Sequence, residues 1–224
     1  PNCGLSIDHH QSNRSEKNEA GAIVVWEDKP SAARIAFELF HQIIDLSDLE
    51  GLLDWVDKID SGSISKEEFL SHDPAIWLSR IVDSEEGTAS WILEQLRVGV
   101  STEDILNDPK ISKLVSEKEE ELALLNEIIL STMRVDDRIA IVRFDGSGIR
   151  SNGYYVTAMA GDECDACMII HGDLGASFGD SGRYPLSASF YTNSFLHRTG
   201  GIYDLTALAT RFDSDGGGHA NACG

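Results

Sequence analysis

Near the amino end of the 224-residue chain, the sequence IDHH contains the residue types that a metal site needs. Neutral imidazole is a good ligand for transition metals such as manganese and cobalt, and a neighbouring carboxylate can orient a ligating ring. Consecutive side chains on a strand point to opposite faces, but His9 and His10 can face one cavity where a strand ends and the backbone turns. One histidine would then bind a metal while the other meets a substrate. The alternative is a surface loop that happens to hold two histidines.

The second segment with chemical potential is GGGHANACG, at residues 216–224. Three consecutive glycines can turn with positive φ, and they let backbone N–H groups approach an anion closely. His219 adds a side-chain donor, and the residues after it could begin a short helix whose N-terminus favours phosphate. The segment therefore indicates a phosphate-binding turn, with a flexible tail as the alternative.

Together, the two segments resemble the DHH phosphoesterases that carry a DHH-associated carboxy-terminal domain. IDHHQSN is similar to that family's third motif, and GGGHANACG with the preceding DLTALATRF is similar to the signature of its second domain. The resemblance covers nearly the whole chain, because the order and spacing of the motifs also fit. It implies a two-metal site, usually holding manganese, with Mg²⁺ or Co²⁺ as alternatives. Such a site hydrolyses phosphodiester or phosphoanhydride bonds.

The resemblance also implies roles for individual residues of the first segment. His9 would be a metal ligand, His10 would contact the scissile phosphate, and Asp8 would support both histidines. The family's fourth motif, an aspartate after the helix that follows the histidines, is matched by WVDKIDSG. Asp60 is the predicted ligand there, because the adjacent glycine turn lets it leave the helix and face a metal. Asp57, three residues earlier and near the same helix face, is the alternative.

In the second domain, the resemblance implies that Gly216, Gly217, Gly218 and His219 hold the far phosphate or the nucleotide end of the substrate. The family often has an arginine on the strand before the last helix. Arg198, in SFLHRTGG, matches that arginine with a spacing that differs by a residue or two. A surface-loop arginine is the alternative for this position.

The family pattern is incomplete in this sequence. Its first motif, His-x-x-x-Asp-x-Asp, and its second, a bridging aspartate, normally precede the Asp-His-His triplet and supply most of the metal ligands; neither is present here. His9 and Asp60 alone are too few to hold two metals. Because the first residue is Pro rather than Met, we expect that an amino-terminal segment of the natural protein is missing, with an inactive relative as the alternative. We therefore expect little turnover from these 224 residues alone.

The hydrophobic pattern predicts the elements that must position these residues. Apolar spacing and capping signals predict helices over 31–44, 46–60, 87–99, 101–108, 112–135 and 203–212, and two short helices within 65–82 that are separated at Pro74. Alternating or β-branched segments predict strands over 3–8, 138–144, 154–161, 167–173 and 186–195.

The fold class predicted from this order is α/β, with two domains. Residues 1–135 would form a truncated, mostly helical DHH domain with a helical linker. Residues 136–224 would form a smaller, mixed α/β DHH-associated domain, and the long helix would join the two. Two domains joined in this way leave a cleft, which is a preferred place for a ligand.

The composition excludes several classes of protein. Hydrophobic residues make up 42% and charged residues 25%, as in a folded globular chain. No apolar run approaches the ~20 residues of a membrane helix. The net charge of -20, without a basic stretch, argues against a long nucleic acid as partner. The alternative is that this acidity serves only solubility or adaptation to salt.

Cysteine usage and the amino terminus predict a cytoplasmic protein. No signal peptide opens the sequence, and four scattered cysteines do not make a disulfide framework. Cys164 and Cys167 form a C-x-x-C pair, but no second pair completes a four-ligand zinc site. We therefore predict that both are ordinary packing residues.

The sequence as a whole predicts metal-dependent hydrolysis of phosphodiester bonds in short oligonucleotides or small nucleotides. The alternatives are an exopolyphosphatase-like hydrolase of phosphoanhydride bonds and a non-catalytic nucleotide-binding relative. The second domain is also similar to one in alanyl-tRNA synthetases, but no basic face supports RNA contact. The predicted partner is a small phosphorylated substrate or short oligonucleotide, without long nucleic acid or membrane, and a homodimer is left open.

Overall fold

A computed structural model describes residues 4–10, 23–145, 147–172, 186–197, 201–212, 218–219 and 221–223. The chain is mixed α/β, as the sequence predicts. A two-stranded parallel sheet comes first, a run of helices follows, and a six-stranded sheet with two further helices completes the described part.

The small sheet brings the Asp-His-His segment to its carboxyl edge. β1 (Leu5–Asp8) pairs in parallel with β2 (Ile23–Trp26). The two histidines follow β1 and residues 28–30 follow β2, so both segments leave the sheet at the same edge. Ligands commonly bind at the carboxyl ends of strands in parallel sheets. The strand predicted to run into a loop here is confirmed.

The helical part of the chain follows the capping signals in the sequence. Ser31 caps the first helix by accepting a hydrogen bond from the N–H of Arg34 at 3.0 Å. Ser65 and Glu68 form the predicted capping box. The helices are α1 (Ala32–Phe40), α2 (Glu50–Asp60), α3 (Lys66–Phe69), α4 (Pro74–Ile81), α5 (Thr88–Arg97), α6 (Thr102–Leu106) and α7 (Pro109–Thr132).

The long helix α7 begins three residues earlier than the sequence pattern predicts. The Asp108 side chain accepts a hydrogen bond from the N–H of Lys110 at 2.8 Å and so caps the helix. Pro109 occupies the first helical position, where its fixed φ and missing N–H cost nothing. The Asp-Pro pair is therefore the start signal, and it precedes the apolar repeat.

The six-stranded sheet has the order β3-β4-β5-β6-β8-β7. β4 and β5 are parallel, and the other neighbouring pairs are antiparallel. Its strands and their helices are β3 (Arg134–Asp136), β4 (Ile139–Arg143), α8 (Gly153–Ala160), β5 (Ala166–Gly172), β6 (Leu186–Thr192), α9 (Leu205–Phe212), β7 (Gly218–His219) and β8 (Ala222–Cys223).

The strand predicted over 154–161 is wrong, because these residues form most of helix α8. β4 and β5 are parallel, and a parallel pair needs a crossover connection, usually a helix. The Asn152 side chain caps this helix by accepting from the N–H of Tyr154 at 3.1 Å. Val156 and Ala160, one turn apart, are both buried against the sheet, which is helical rather than alternating spacing.

The short helix predicted after His219 is also wrong. Ala222 and Cys223 form β8, which lies between β6 and β7 and pairs antiparallel with both. The Cys223 side chain packs against Leu205 and Ala209 of α9. A segment of a few residues is too short for a stable helix, whereas the edge of β6 offers it a ready set of backbone hydrogen bonds.

Besides the small cluster around Cys223, three larger hydrophobic clusters of the described residues hold these elements together. One packs α7 and α8 on the β4–β5 face of the large sheet, and a second joins α4 to α7. The third spans both parts of the chain: Ile64, Phe69 and Ile76 of the helical part contact Tyr154, Tyr155 and Phe195 of the sheet part. The predicted domain boundary at residue 135 stays a prediction.

The two cysteines of the C-x-x-C pair are packing residues, as predicted. Both are free thiols and are buried, Cys167 within β5 and Cys164 just before it. Among the helices that the structure describes, none has both the length and the apolar character to cross a bilayer.

Candidate active site

A cavity of about 390 Å³ lies between the helical part and the sheet part of the chain. Its first wall consists of the two histidines after β1, residues 28–30 after β2 and residues 59–62 at the end of α2. Its second wall consists of residues 152–154 at the start of α8, residues 191, 192 and 194 at the end of β6, and residues 221–222. The volume lies in the range of about 300–1,000 Å³ that is typical of small-molecule sites.

Asp8 organises the turn that carries the histidines. Its Oδ1 accepts hydrogen bonds from the backbone N–H of His9 at 2.8 Å and of His10 at 3.0 Å. The same oxygen lies 2.6 Å from Nδ1 of His10, so this ring is oriented by a carboxylate. The indole N–H of Trp26 donates to the carbonyl of His10 at 2.9 Å, which fixes the far side of the turn.

His9 and Asp60 meet although they come from distant parts of the sequence. Nδ1 of His9 lies 3.2 Å from the carbonyl oxygen of Lys29, which can only accept, so that nitrogen carries a proton. Nε2 then points at Oδ2 of Asp60, at a distance of 3.2 Å. An unprotonated Nε2 and a carboxylate oxygen both present lone pairs. Their approach therefore suits either a proton or a cation shared between them.

Asp57, the alternative ligand, has a different environment. Its Oδ1 accepts a hydrogen bond from the hydroxyl of Ser31 at 2.6 Å, and its Oδ2 accepts one from Nε of Arg34 at 2.7 Å. The side chain is only 13% exposed and does not line the cavity. Asp57 thus ties α2 to the start of α1, and the geometry favours Asp60 as the carboxylate that faces a ligand.

The pair of His9 and Asp60 fits part of a metal coordination shell. The carbonyl that orients His9 from behind is the usual partner of a ligating imidazole. A transition metal takes four or more ligands, however, and two such metals would need more still. Across the described residues, no group of three or more histidine, cysteine, aspartate or glutamate side chains is placed to hold a metal. These residues therefore supply two donors and do not complete a site.

The glycine-rich segment is described only in part. Gly218 and His219 form the backbone of β7, next to β8. Asn221 and Ala222, from the same segment, line the cavity opposite the histidines. The remaining predicted substrate contacts, Arg198, Gly216 and Gly217, lie outside the described residues.

Sequence reasoning missed the side chains that form the second wall. Tyr154, Ser194 and Asn221 line the cavity, as does the capping residue Asn152. Burial raises the pKa of Tyr154, and the negative charge of Asp60 raises it further, so its hydroxyl remains a donor. Asn152 offered a weak signal, since asparagine is favoured as an N-cap, although Asn-Gly also marks turns. The other three come together through tertiary packing.

Comparisons with known proteins give a structural likeness. No family model matches the chain, and no curated protein matches it. Among solved structures, it is similar to a pGpG-specific phosphodiesterase, PggH from Vibrio cholerae, with a TM-score of 0.70 and 18% identity over 98% of this chain and 72% of that chain. An uncharacterized protein from Helicobacter pylori G27 has 15% identity over 97% of this chain and 66% of that one. Its TM-score of 0.26 is too low to indicate a shared fold. The likeness to PggH shows that the two chains share a fold.

Proposed function

We propose that this protein hydrolyses phosphodiester bonds in small nucleotides or short oligonucleotides, with a linear dinucleotide as the preferred class. The observation that carries the proposal is the meeting of His9, His10 and Asp60 on one wall of a cavity whose other wall is neutral and polar. The shared fold with a protein described as a pGpG-specific phosphodiesterase supports the choice of a dinucleotide.

The proposed cofactor is manganese in a two-metal site, with Mg²⁺ or Co²⁺ as alternatives. His9, through Nε2, and Asp60, through Oδ2, would hold the metal from the described part of the chain. Further ligands would have to come from outside the described residues. Because the sequence lacks the family's first two motifs, we also propose that the 224-residue chain alone turns over little. When bound, such metals neutralise phosphoryl charge and lower the pKa of a coordinated water.

His10 is the residue proposed to contact the scissile phosphate. Asp8 accepts from Nδ1 of this ring. Nε2 would then face the phosphoryl oxygen, and it donates to that oxygen when both ring nitrogens carry a proton. A donor fixed before the reaction stabilises developing charge without any cost of reorganisation. The bond from Trp26 to the His10 carbonyl restricts the backbone at the same point.

The charge of the protein limits the size of the substrate. A net charge of -20 repels long polyanions, whereas a short substrate with bound cations is tolerated. The described second wall offers hydroxyl and amide groups, which suit a nucleoside better than a polyphosphate chain. One observation favours a second candidate function, a nucleotide-binding protein without catalysis: the described residues include no group of three metal-binding side chains.

The test compares two reactions and one pair of carboxylate variants in the full natural protein with Mn²⁺. We expect release of mononucleotide from pGpG and little release of phosphate from polyphosphate. Loss of a partner that only orients a metal ligand costs about 10- to 100-fold in metal affinity. Asp60→Asn, which changes a proposed ligand itself, should weaken Mn²⁺ binding, measured by calorimetry, by at least that much, and hydrolysis should fall with it. Asp54→Asn is the matched control, because Asp54 lies on the same helix with its side chain 64% exposed.

Three results would count against this proposal or a part of it. Phosphate release from polyphosphate without cleavage of pGpG would support the phosphoanhydride alternative. Tight binding of pGpG without any cleavage would support the non-catalytic alternative. Equal Mn²⁺ affinity in the Asp60 variant and the control would remove Asp60 from the metal site.

A further inference from the structure

Three polar side-chain atoms converge on one point in the cavity, next to the glycine that ends α2. A methyl group built on Gly62 would lie 3.6 Å from the hydroxyl of Tyr154, 3.7 Å from Nδ2 of Asn221 and 3.7 Å from Oγ of Ser194. All four residues line the cavity. We call Tyr154, Ser194 and Asn221 the polar triad.

Rigid packing places the members of the polar triad. The ring of Tyr154 stacks on Phe69 with ring centroids 5.1 Å apart and contacts Phe195 at 5.5 Å. The carbonyl of Asn221 accepts a hydrogen bond from the N–H of Thr192 at 2.9 Å, so the turn that carries Asn221 is joined to the end of β6. Groups held in this way lose little entropy when a ligand binds.

Ser194 is fixed by the residue before it. The side-chain amide of Asn193 is buried and donates to the carbonyls of Gly161 and Cys164, each at 2.9 Å. This anchors the turn that presents Ser194 to the cavity. The three members of the polar triad therefore come from three separate segments: the start of α8, the turn after β6 and the residue before β8.

The chemistry of the polar triad points to a neutral ligand group. Within the described chain, Oγ of Ser194 and Nδ2 of Asn221 make no hydrogen bond, and the hydroxyl of Tyr154 makes only a long one, 3.5 Å, to the carbonyl of Ile59. A phosphate is usually held by cationic side chains, and the polar triad has none. A ribose hydroxyl both donates and accepts, as these groups do, and the 2′-hydroxyl separates RNA from DNA.

We propose that the polar triad binds the ribose hydroxyls of the nucleotide next to the scissile phosphate, so that the site selects ribonucleotides over deoxyribonucleotides. This inference rests on the proposed function and adds a specificity to it. Its position follows from the first wall: the polar triad surrounds Gly62, two residues after Asp60. A substrate phosphate near Asp60 and His9 would therefore place a neighbouring sugar within reach.

The experiment measures kcat/KM of the full natural protein for pGpG and for its 2′-deoxy counterpart. We expect a preference for pGpG of about 10-fold or more, since each neutral hydrogen bond contributes a factor of about 2 to 12. Ser194→Ala, Asn221→Ala and Tyr154→Phe should each reduce the ratio between the two substrates, mainly through KM. Tyr155→Phe is the matched control, because Tyr155 packs in the same aromatic cluster but does not line the cavity.

Calorimetric binding of the same two dinucleotides separates this inference from the proposed function. If no cleavage occurs but pGpG binds more tightly and the variants lose that difference, the polar triad stands and the hydrolase proposal fails. If pGpG is cleaved but the deoxy compound is cleaved equally well, the hydrolase stands and the polar triad is overturned. The polar triad is also overturned if the three variants discriminate between pGpG and its 2′-deoxy counterpart as strongly as the unchanged protein does.

Discussion

Replacing Gly62 with alanine tests the geometry of the cavity through a single methyl group. Gly62 has φ +71° and follows the last turn of α2. Its N–H donates to the carbonyl of Ile59 at 3.3 Å, and the N–H of Ser63 donates to that of Lys58 at 2.9 Å, which together make a Schellman motif. Alanine in this left-handed conformation should cost about 1–2 kcal/mol of unfolding free energy.

Gly99 provides a control with the same backbone geometry. It has φ +84° at the end of α5, and its N–H donates to the carbonyl of Leu96 at 3.0 Å. The N–H of Val100 donates to the carbonyl of Gln95 at 3.0 Å, so this is the same motif. Gly99→Ala should therefore lose a similar unfolding free energy, and the melting temperature of each variant should fall by about 2–8 °C.

The two variants differ in what the added methyl group meets. At Gly99 no atom lies within 4 Å of it, whereas at Gly62 it would lie among the hydroxyl of Tyr154, Oγ of Ser194 and Nδ2 of Asn221. A methyl group there would occupy the space of a ligand hydroxyl. We expect Gly62→Ala to weaken pGpG binding by about 10-fold or more, which corresponds to about 1.4 kcal/mol, and Gly99→Ala to leave it unchanged.

The assay is calorimetric titration with pGpG beside thermal unfolding of the unchanged protein and both variants. Equal loss of stability with loss of affinity only in Gly62→Ala would agree with the geometry. Unchanged pGpG affinity in Gly62→Ala would refute the reasoning, because the polar triad could not then be in contact with the ligand. Equal loss of affinity in both variants would trace the effect to the fold rather than to the cavity.

Two further predictions concern carboxylates that hold other groups in place. Asp8→Asn should reduce kcat for pGpG by about 10- to 100-fold with a smaller change in KM, since it removes the charge that orients the His10 ring; an unchanged kcat would contradict that role. Hydrogen bonds from Arg138 and then from His197 hold the pKa of Asp165 below its ordinary value. Folding stabilises the ionised form, so this contribution is present above the unfolded pKa of about 3.9 and is lost as the pH falls below it. The urea midpoint should thus fall more steeply between pH 5 and pH 3 in the unchanged protein than in Asp165→Asn, and parallel curves would exclude Asp165 as the cause.

Much of the first wall follows from the sequence because its interactions are local. Asp8 reaches the backbone of the next two residues and the ring of His10 without leaving the turn. The capping box at Ser65 and the helix that begins at Pro74 are likewise settled by residues within one turn. Apolar spacing with capping signals indicated the helices of the first part of the chain, although it missed α8, and the mixed α/β class followed from the order of helices and strands.

The second wall and the different surroundings of Asp57 and Asp60 are visible only in the tertiary structure. The sequence predicts Asp60 with Asp57 as the alternative, and in space Asp57 is in contact with Arg34 whereas Asp60 lines the cavity. Helix α8 resembles a strand locally, and it is helical because the parallel pairing of β4 with β5 requires a crossover. Tyr154 and Ser194 carry no motif, and the glycine-rich segment that contains Asn221 does not reveal its neighbours, since side chains from separate segments can meet only after those segments have packed. Local bonds determine the conformation of a turn, whereas the shape of a cavity depends on contacts between residues that are far apart in the chain.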